Sequence, residues 1–200
     1  MKTRKIRHND TEDINLLIKN GAVEMLKAKK IKWTKFNNQT DITGYGILSN
    51  GIQSSSYEMV TYLLEQGFDI EFKNKFSGYT PLIFSAKNIT SIVNLLIEKG
   101  ANIHAINNRN ETALHVAISN GYFENSKLLL EKGSDIEHED QDGNTPLHIA
   151  CKFYHLDIIK MLLDNGANIH AKNKSNNTPL DLAKNTWRFQ EIKLYISNSK

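Results

Sequence analysis

The stretch that decides the fold reads Asp140-Gln141-Asp142-Gly143-Asn144-Thr145-Pro146-Leu147-His148-Ile149-Ala150. Its opening predicts a turn, because an Asp side chain accepts hydrogen bonds from the backbone that follows it and Gly143 tolerates a positive φ. Thr145 is a favourable helix N-cap, and Pro146 suits the first helical position, where its missing N–H costs nothing. The stretch therefore predicts a loop that leads directly into a helix.

The same pattern recurs along the chain at a nearly constant interval. A threonine followed by proline or alanine and then leucine occurs at Thr80, Thr112, Thr145 and Thr178, and the first interval is one residue shorter than the other two. A glycine follows each predicted second helix and recurs at a strictly constant interval, at Gly67, Gly100, Gly133 and Gly166. Glycine at this place predicts a left-handed C-terminal cap. A fixed period of this length is typical of solenoids, in which each repeat buries its apolar side against its neighbours.

These features resemble the ankyrin repeat, whose signature is Thr-Pro-Leu-His-x-Ala with a period of about 33 residues. The resemblance covers residues 41–200. It implies an all-α fold, a solenoid of antiparallel helix pairs whose connecting loops project as β-hairpin fingers. The repeat units that it implies are residues 41–73, 74–106, 107–139, 140–172 and 173–200.

Several units depart from the signature. In the first unit Gly46-Ile47 replaces Thr-Pro, which removes the N-cap, so we expect this unit to be less stable than units three to five. The second unit has one extra residue near Lys75-Phe76, which predicts a longer finger, and one residue fewer later, which predicts a shorter turn between its helices. The last unit has Asn176 in place of glycine and Asp181 in place of histidine, as an atypical terminal repeat does.

Residues 1–40 lie outside the repeat and have a different charge balance. They contain ten Lys or Arg and four Asp or Glu, whereas residues 41–200 have a net charge of −3. Two short amphipathic helices are predicted here, which favours an atypical basic helical cap that shields the first unit. The alternative is a binding site for nucleic acid or another anionic surface, formed by lysines interleaved with Trp33 and Phe36. The lysines of this segment are Lys27, Lys29, Lys30, Lys32 and Lys35.

Composition predicts the cellular setting. No run of about 18 apolar residues occurs, so no membrane span is predicted. No apolar segment follows the basic start, so no secretory signal is predicted. The single cysteine, Cys151, fits a reducing compartment, and we expect a cytoplasmic protein. Its place beside the small Ala150 favours a buried, inert thiol over a nucleophile.

The seven histidines suggest a metal site at first sight. However, His115 and His148 occupy the histidine of the signature, for which the resemblance implies structural hydrogen bonds at the base of a finger. His104 and His170 also repeat in register, and residues in separate units do not assemble the tetrahedral cluster that zinc requires. The sequence contains no catalytic or phosphate-binding motif. We therefore predict no enzyme activity, no metal and no cofactor.

The resemblance implies a protein–protein interaction module that binds a protein partner on its concave side, along fingers and first helices. The repeat register and the single cysteine predict a monomer. The alternatives are a binder of nucleic acid or an anionic surface through the basic N-terminal segment, and a substrate adaptor for a larger complex. Transferred by register, the partner-binding positions are Phe76, Tyr79, Arg109, Glu111, Ser119, Asn120, Gln141, Asn144, Lys152, Phe153, Lys174 and Asn177.

Four of these positions are the predicted anchors: Phe76, Tyr79, Arg109 and Phe153. Exposed aromatic residues beside arginine are typical of interface hot spots. The alternative is that Phe76 and Phe153 simply pack against neighbouring fingers.

Overall fold

The computed structural model describes residues 8–29, 31, 33, 36, 40–184 and 189–198. Within these residues the chain forms twelve α-helices joined by turns, and it contains no β-strand. The predicted all-α fold is therefore confirmed. The chain divides into two compact units, unit 1 (Met1–Ala101) and unit 2 (Asn102–Lys200).

Unit 1 consists of three helix pairs. The first helices of the pairs, α1, α3 and α5, pack on one another in chain order, and so do the second helices, α2, α4 and α6. This arrangement buries one face of every pair, as the periodic apolar residues predict. The helices are α1 (His8–Lys19), α2 (Val23–Ala28), α3 (Ile47–Gln53), α4 (Tyr57–Glu65), α5 (Pro81–Ser85) and α6 (Thr90–Glu98).

The two helices predicted within residues 1–40 are present and form the first pair of unit 1. Helix α1 packs on α3 and α2 packs on α4, so this pair covers the side of the next pair as a capping repeat does. Ile18 and Leu26 are fully buried there, and so is Phe36. The division of the chain at residue 40 stays a prediction.

Unit 2 also consists of three helix pairs, with the first helices α7, α9 and α11 packed in order and the second helices α8, α10 and α12 beside them. Its core contains the repeated leucines Leu114 and Leu147 together with small residues such as Ala117 and Ala150, all buried. The helices are α7 (Ala113–Ser119), α8 (Phe123–Glu131), α9 (Pro146–Phe153), α10 (Leu156–Asp164), α11 (Pro179–Ala183) and α12 (Phe189–Asn198).

The helix starts follow the predicted capping chemistry. Thr112, Thr145 and Thr178 are N-caps with a reciprocal capping box, and Thr80 accepts a hydrogen bond from the N–H of Ile83. Gly46, in contrast, caps α3 without any side-chain bond. The structure adds a reason for this glycine, because a Cβ there would lie 2.6 Å from a ring carbon of Phe72.

The helix ends also agree with the sequence. The glycines that recur once in each repeat all have a φ between +81° and +93°, as a left-handed cap requires. They are Gly67, Gly100, Gly133 and Gly166.

The loops before the first helices are tight turns. In unit 2 the loops are residues 107–111, 140–144 and 173–177, and in each the first residue donates its N–H to the carbonyl of the last. In the described part of the chain the only bridge of the β type joins Thr40 and Gly46, so the β-hairpin form of the fingers is not confirmed.

The two length changes of the second sequence unit have different outcomes. The extra residue lies in the loop, as predicted: in this loop three residues separate Asn74 from the left-handed Gly78, whereas two separate Asp140 from Gly143. The prediction of a shorter turn between the helices is wrong. Helix α5 itself is shorter, with five residues against seven in α7 and eight in α9, and four residues connect it to α6.

Candidate functional site

The candidate site is the loop face of each unit, which we define as the tips of its loops and the outward sides of its first helices. One loop of unit 2 shows how a tip is built. The Asp140 carboxylate accepts the N–H groups of Asp142 and Asn144, both at 2.8 Å, and Gly143 takes the left-handed conformation. The backbone polar groups of the turn are thereby satisfied, and the exposed side chains of Gln141 and Asp142 form the tip.

Neighbouring loops of unit 2 are joined by backbone hydrogen bonds. The N–H of Gln141 donates to the carbonyl of Arg109 at 2.8 Å, and the N–H of Lys174 donates to the carbonyl of Asp142 at 3.0 Å. The Lys174 ammonium also donates to the carbonyl of Gln141 at 2.7 Å. Within this unit the tips are therefore held side by side and present their exposed side chains as one row.

Two buried histidines of unit 2 each link a helix N-cap to the following loop by hydrogen bonds. The backbone N–H of Thr145 donates to Nδ1 of His148 at 3.2 Å, so Nε2 carries the proton and donates to the carbonyl of Asn177 in the next loop at 3.0 Å. His115 makes the same bonds to Thr112 and Asn144. The structural role expected for both histidines is confirmed.

Burial is the main cause that lowers the pKa of these two imidazoles. It lowers the pKa of His115 and that of His148, although the carbonyls they contact act in the opposite direction. Both rings are therefore neutral near pH 7 and act as one donor and one acceptor each.

The predicted partner-binding residues fall into three groups by exposure. Seven are exposed, namely Phe76, Arg109, Asn120, Gln141, Lys152, Phe153 and Lys174. Four are half-buried, namely Tyr79, Glu111, Ser119 and Asn177. Asn144 is buried, its Nδ2 donates to Asp140 at 3.1 Å and its Oδ1 accepts from Asn173 at 2.8 Å. A partner does not reach Asn144 without breaking these bonds, so the structure assigns it to the scaffold.

Several members of this set also contact other residues of their own unit. Arg109 lies 3.9 Å from the Glu111 carboxylate, and this pair is weak because the distance is long and the arginine is exposed. The hydroxyl of Ser119 and the amide of Asn120 both donate to the carbonyl of Val116, at 3.1 and 2.8 Å, and so close the end of α7.

Phe153 lies at the end of α9 and is 44% exposed. Its ring stacks on His155 in the turn that follows, with a centroid distance of 6.3 Å, and the Lys152 ammonium lies 5.7 Å from the ring centre. The contact of Phe153 with His155 is therefore not packing on a neighbouring finger, because His155 belongs to the connection between α9 and α10.

The loop face of unit 1 is richer in aromatic residues than the sequence pattern suggests. Tyr45 and Phe84 pack with their ring centres 4.5 Å apart, and the Lys87 ammonium lies 5.5 Å from the centre of the Phe84 ring. Neither residue is among the predicted positions, although Tyr45 occupies the register position of Tyr79. Alignment of the repeats by register would therefore have indicated Tyr45 as a loop-face position.

Phe76 lies at the tip of the longer loop and is 66% exposed. Its ring lies against Gly44 of the neighbouring loop, where a Cβ would approach within 2.7 Å of a ring carbon. Phe76 thus does pack on the neighbouring loop, as the alternative proposed, and still leaves most of its surface in solvent.

The basic N-terminal segment does not offer its aromatic residues to a ligand. Trp33 is 7% exposed, and it makes edge-on contacts with Phe36, Tyr62 and Phe68 at 5.4 to 6.0 Å. Because both aromatic residues of the segment are buried, Trp33 and Phe36 are not available to stack on a ligand, as the alternative of an anionic-ligand site supposed. Lys30, Lys32 and Lys35 lie outside the described residues.

Cys151 is fully buried in α9. Burial raises the pKa of its thiol to about 12, so the thiolate that a nucleophile requires is not populated near pH 7. No group of three or more His, Cys, Asp or Glu side chains is placed to hold a metal ion in the part of the chain that the structure describes.

A groove between α8 and α10 of unit 2, of about 580 Å³, was not predicted from the sequence. It lies on the second helices and combines apolar side chains with charges of both signs. Its lining includes Phe123, Lys127, Leu130, Glu131, Asp157, Lys160, Met161 and Asp164.

None of the described helices has the length and apolar character that crossing a membrane requires.

Comparison with known families gives the same pattern of repeats. A model of three ankyrin repeats matches residues 6–107 and 48–140, and a model of many ankyrin repeats matches residues 129–183. The chain belongs to the ankyrin repeat family. The matches extend into the N-terminal segment, which the sequence signature does not reach, and they agree with the helix pair that α1 and α2 form there.

A curated relative of this ankyrin repeat protein is an ankyrin repeat protein of fowlpox virus (strain NVSL). The two are 36% identical over 69 residues, which is 34% of this chain and 16% of the relative. The match therefore covers about one sixth of the length of the relative. Ankyrin repeats are generally protein-interaction modules, and the family is typically non-catalytic.

Proposed function

We propose that this ankyrin repeat protein is a non-catalytic interaction module that binds a protein partner through the loop face of its units. The observation that carries the proposal is the difference in burial between two kinds of position in each repeat. The positions that support the loops are buried and hydrogen-bonded, whereas tip and helix positions such as Phe76, Arg109 and Phe153 are exposed. Large aromatic side chains at such positions have no folding role that requires their exposure, and they are enriched in hot spots.

The partner-binding set that we propose leaves out the buried Asn144. In unit 1 it consists of Phe76 and Tyr79, to which we add Tyr45 and Phe84, whose rings pack on each other. In unit 2 it consists of Arg109, Glu111, Ser119, Asn120, Gln141, Lys152, Phe153, Lys174 and Asn177. We further propose that the protein acts in the cytoplasm as a monomer, for which the single, buried Cys151 provides support.

The test is affinity capture with the full chain, followed by measurement of the affinity for each captured protein. Phe76→Ala and Phe153→Ala should each weaken binding by about 1–3 kcal/mol, because each removes a large exposed aromatic anchor. Circular dichroism should show unchanged helicity, since neither side chain belongs to the buried core. A matched control is Leu194→Ala, because Leu194, at 64%, is as exposed as Phe76 but lies on α12.

The result that would overturn the proposed face is equal binding by both folded variants and the wild type. A salt titration then decides whether the basic N-terminal segment binds an anionic partner, because such binding weakens steeply with ionic strength.

A further inference from the structure

The tips of the two loops of unit 1 differ in chemistry from those of unit 2. Ile42 lies at the tip of loop 41–45 and is 98% exposed, and Phe76 lies at the tip of loop 74–79. The register positions of Ile42 in unit 2 are occupied by Asn108, Gln141 and Lys174. An isoleucine with its whole side chain in water contributes nothing to the core, and a second large apolar side chain, Phe76, is exposed on the neighbouring loop.

Hydrogen bonds join the two loops that carry these apolar tips. The N–H of Lys75 donates to the carbonyl of Gly44 at 3.1 Å, and the Asn74 amide donates to the carbonyl of Thr43 at 2.9 Å. The ring of Phe76 lies against Gly44, two residues from Ile42. The extra residue in this loop lengthens the tip that presents Phe76.

Exposed ammonium groups lie on the loop face of unit 1, and one of them lies beside a tip. The Lys75 ammonium lies 5.9 Å from the centre of the Phe76 ring, and Lys87, also exposed, lies over Phe84 on the same loop face. The nearest carboxylate in sequence, Asp41, is paired with Lys19 at 3.1 Å. Although burial opposes it, hydrogen bonds from Thr43 and Lys19 hold the pKa of Asp41 below its usual range, so this pair stays formed and adds no net charge.

We propose that the apolar tips of unit 1 dock an acidic peptide segment of the partner that carries a bulky apolar side chain. The apolar side chain covers Ile42 and Phe76, and its flanking carboxylates face Lys75 and Lys87. This inference rests on the proposed interaction function and specifies the chemistry of the partner at one of its two units.

The experiment is selection of a peptide library against the full chain. The probe is a phage-displayed library of random peptides of about twelve residues, and a fluorescein-labelled copy of the enriched sequence then gives dissociation constants. Enriched peptides should combine net negative charge with at least one large apolar residue. Ile42→Ser and Phe76→Ser should each raise the dissociation constant at least about tenfold, while Leu194→Ser, at an exposed site on α12, should leave it unchanged.

A charge exchange makes the test specific. Lys75→Glu should weaken binding of the acidic peptide and strengthen binding of the same peptide with its acidic residues replaced by lysine. Ile42→Ser keeps the test valid if Phe76→Ser loosens the loop, because the Ile42 side chain lies entirely in solvent.

Two kinds of result would overturn this inference. One is a selection that yields no binder, or binders without an acidic, apolar consensus. Binding of a single-stranded oligonucleotide to these tips in place of a peptide would overturn it as well. The other is peptide binding that ignores Ile42→Ser and Phe76→Ser but is lost in Arg109→Ala and Phe153→Ala. In that second case the protein-interaction function stands and the docking site belongs to unit 2.

Discussion

At the residue scale, His115 and His148 show how one side chain serves two purposes. Each accepts a hydrogen bond from its own helix N-cap and donates one to the carbonyl of the following loop. Asp181 replaces histidine at the third such position and accepts from the N–H and the hydroxyl of Thr178, at 2.9 and 2.7 Å. A carboxylate reproduces the cap but has no proton to donate onward, so the link to a further loop is specific to histidine.

The stability of the protein should decrease as the pH falls from about 6.5, the ordinary pKa of histidine. Burial lowers the pKa of His115 and of His148 in the folded state, so below that pH the unfolded chain binds more protons than the folded chain. Their contribution is fully present above the unfolded pKa and is lost as the pH falls towards the folded pKa. Urea unfolding midpoints at pH 7.5 and pH 5.5 measure the effect.

The control for this pH dependence uses histidines that repeat in register but are exposed. A His104→Gln, His170→Gln double variant should keep the decrease in stability, whereas a His115→Gln, His148→Gln double variant should be less stable at pH 7.5 and change less with pH. An identical pH profile in all three proteins would contradict the assignment to the buried pair.

At the scale of elements, the N-caps of the first helices differ between repeats, and this difference affects local stability. Helices α7 and α9 begin with capping boxes, whereas α3 begins at Gly46 with no side-chain cap. An N-cap contributes on the order of 1 kcal/mol, and a repeat array transmits stability only between neighbours. The first sequence unit therefore has a weaker start than the units of the second half.

Native-state hydrogen exchange should detect this difference. The amides of residues 41–66 should exchange before those of residues 112–166, because opening of α3 breaks no side-chain cap. Exchange followed by mass spectrometry under conditions that favour folding gives the order directly. Uniform protection, or earlier exchange in residues 112–166, would show that the caps do not determine local stability.

At the scale of the whole molecule, each of the two units is built from one repeated contact between helix pairs. The described residues need no disulfide for this, since the sequence has a single cysteine, and the aliphatic cores of both units come from the repeated helices. Such a chain presents surface at every repeat, which suits binding of an extended partner.

The purified protein should be a helical monomer that retains its fold without metal. Far-ultraviolet circular dichroism should be dominated by helix, and its thermal midpoint should be unchanged by a chelator, because the helix packing involves apolar side chains. Sedimentation equilibrium over a range of concentrations measures the mass. A midpoint that falls on addition of chelator, or a mass that rises to a dimer, would contradict this expectation.

The sequence by itself determined the repeat, its caps and its loops, because these depend on contacts within a few residues. Thr145 and Pro146 start a helix, and Gly166 ends one, whatever lies beyond them. The same local reasoning placed the extra residue of loop 74–79 correctly. It failed for the shorter connection, because the spacing of the motifs does not show whether a helix or the turn after it has lost a residue, and here helix α5 is the shorter element.

Tertiary structure decided which side chains face solvent, since burial depends on neighbours that are distant in sequence. Trp33 was grouped with lysines by sequence proximity, but the rings of Tyr62 and Phe68 enclose it. Asn144 was transferred as a contact position, but Asn173 of the next loop occupies its amide. Ile42 was not predicted, because only the folded loops show that its side chain is left in water, where apolar surface favours a partner.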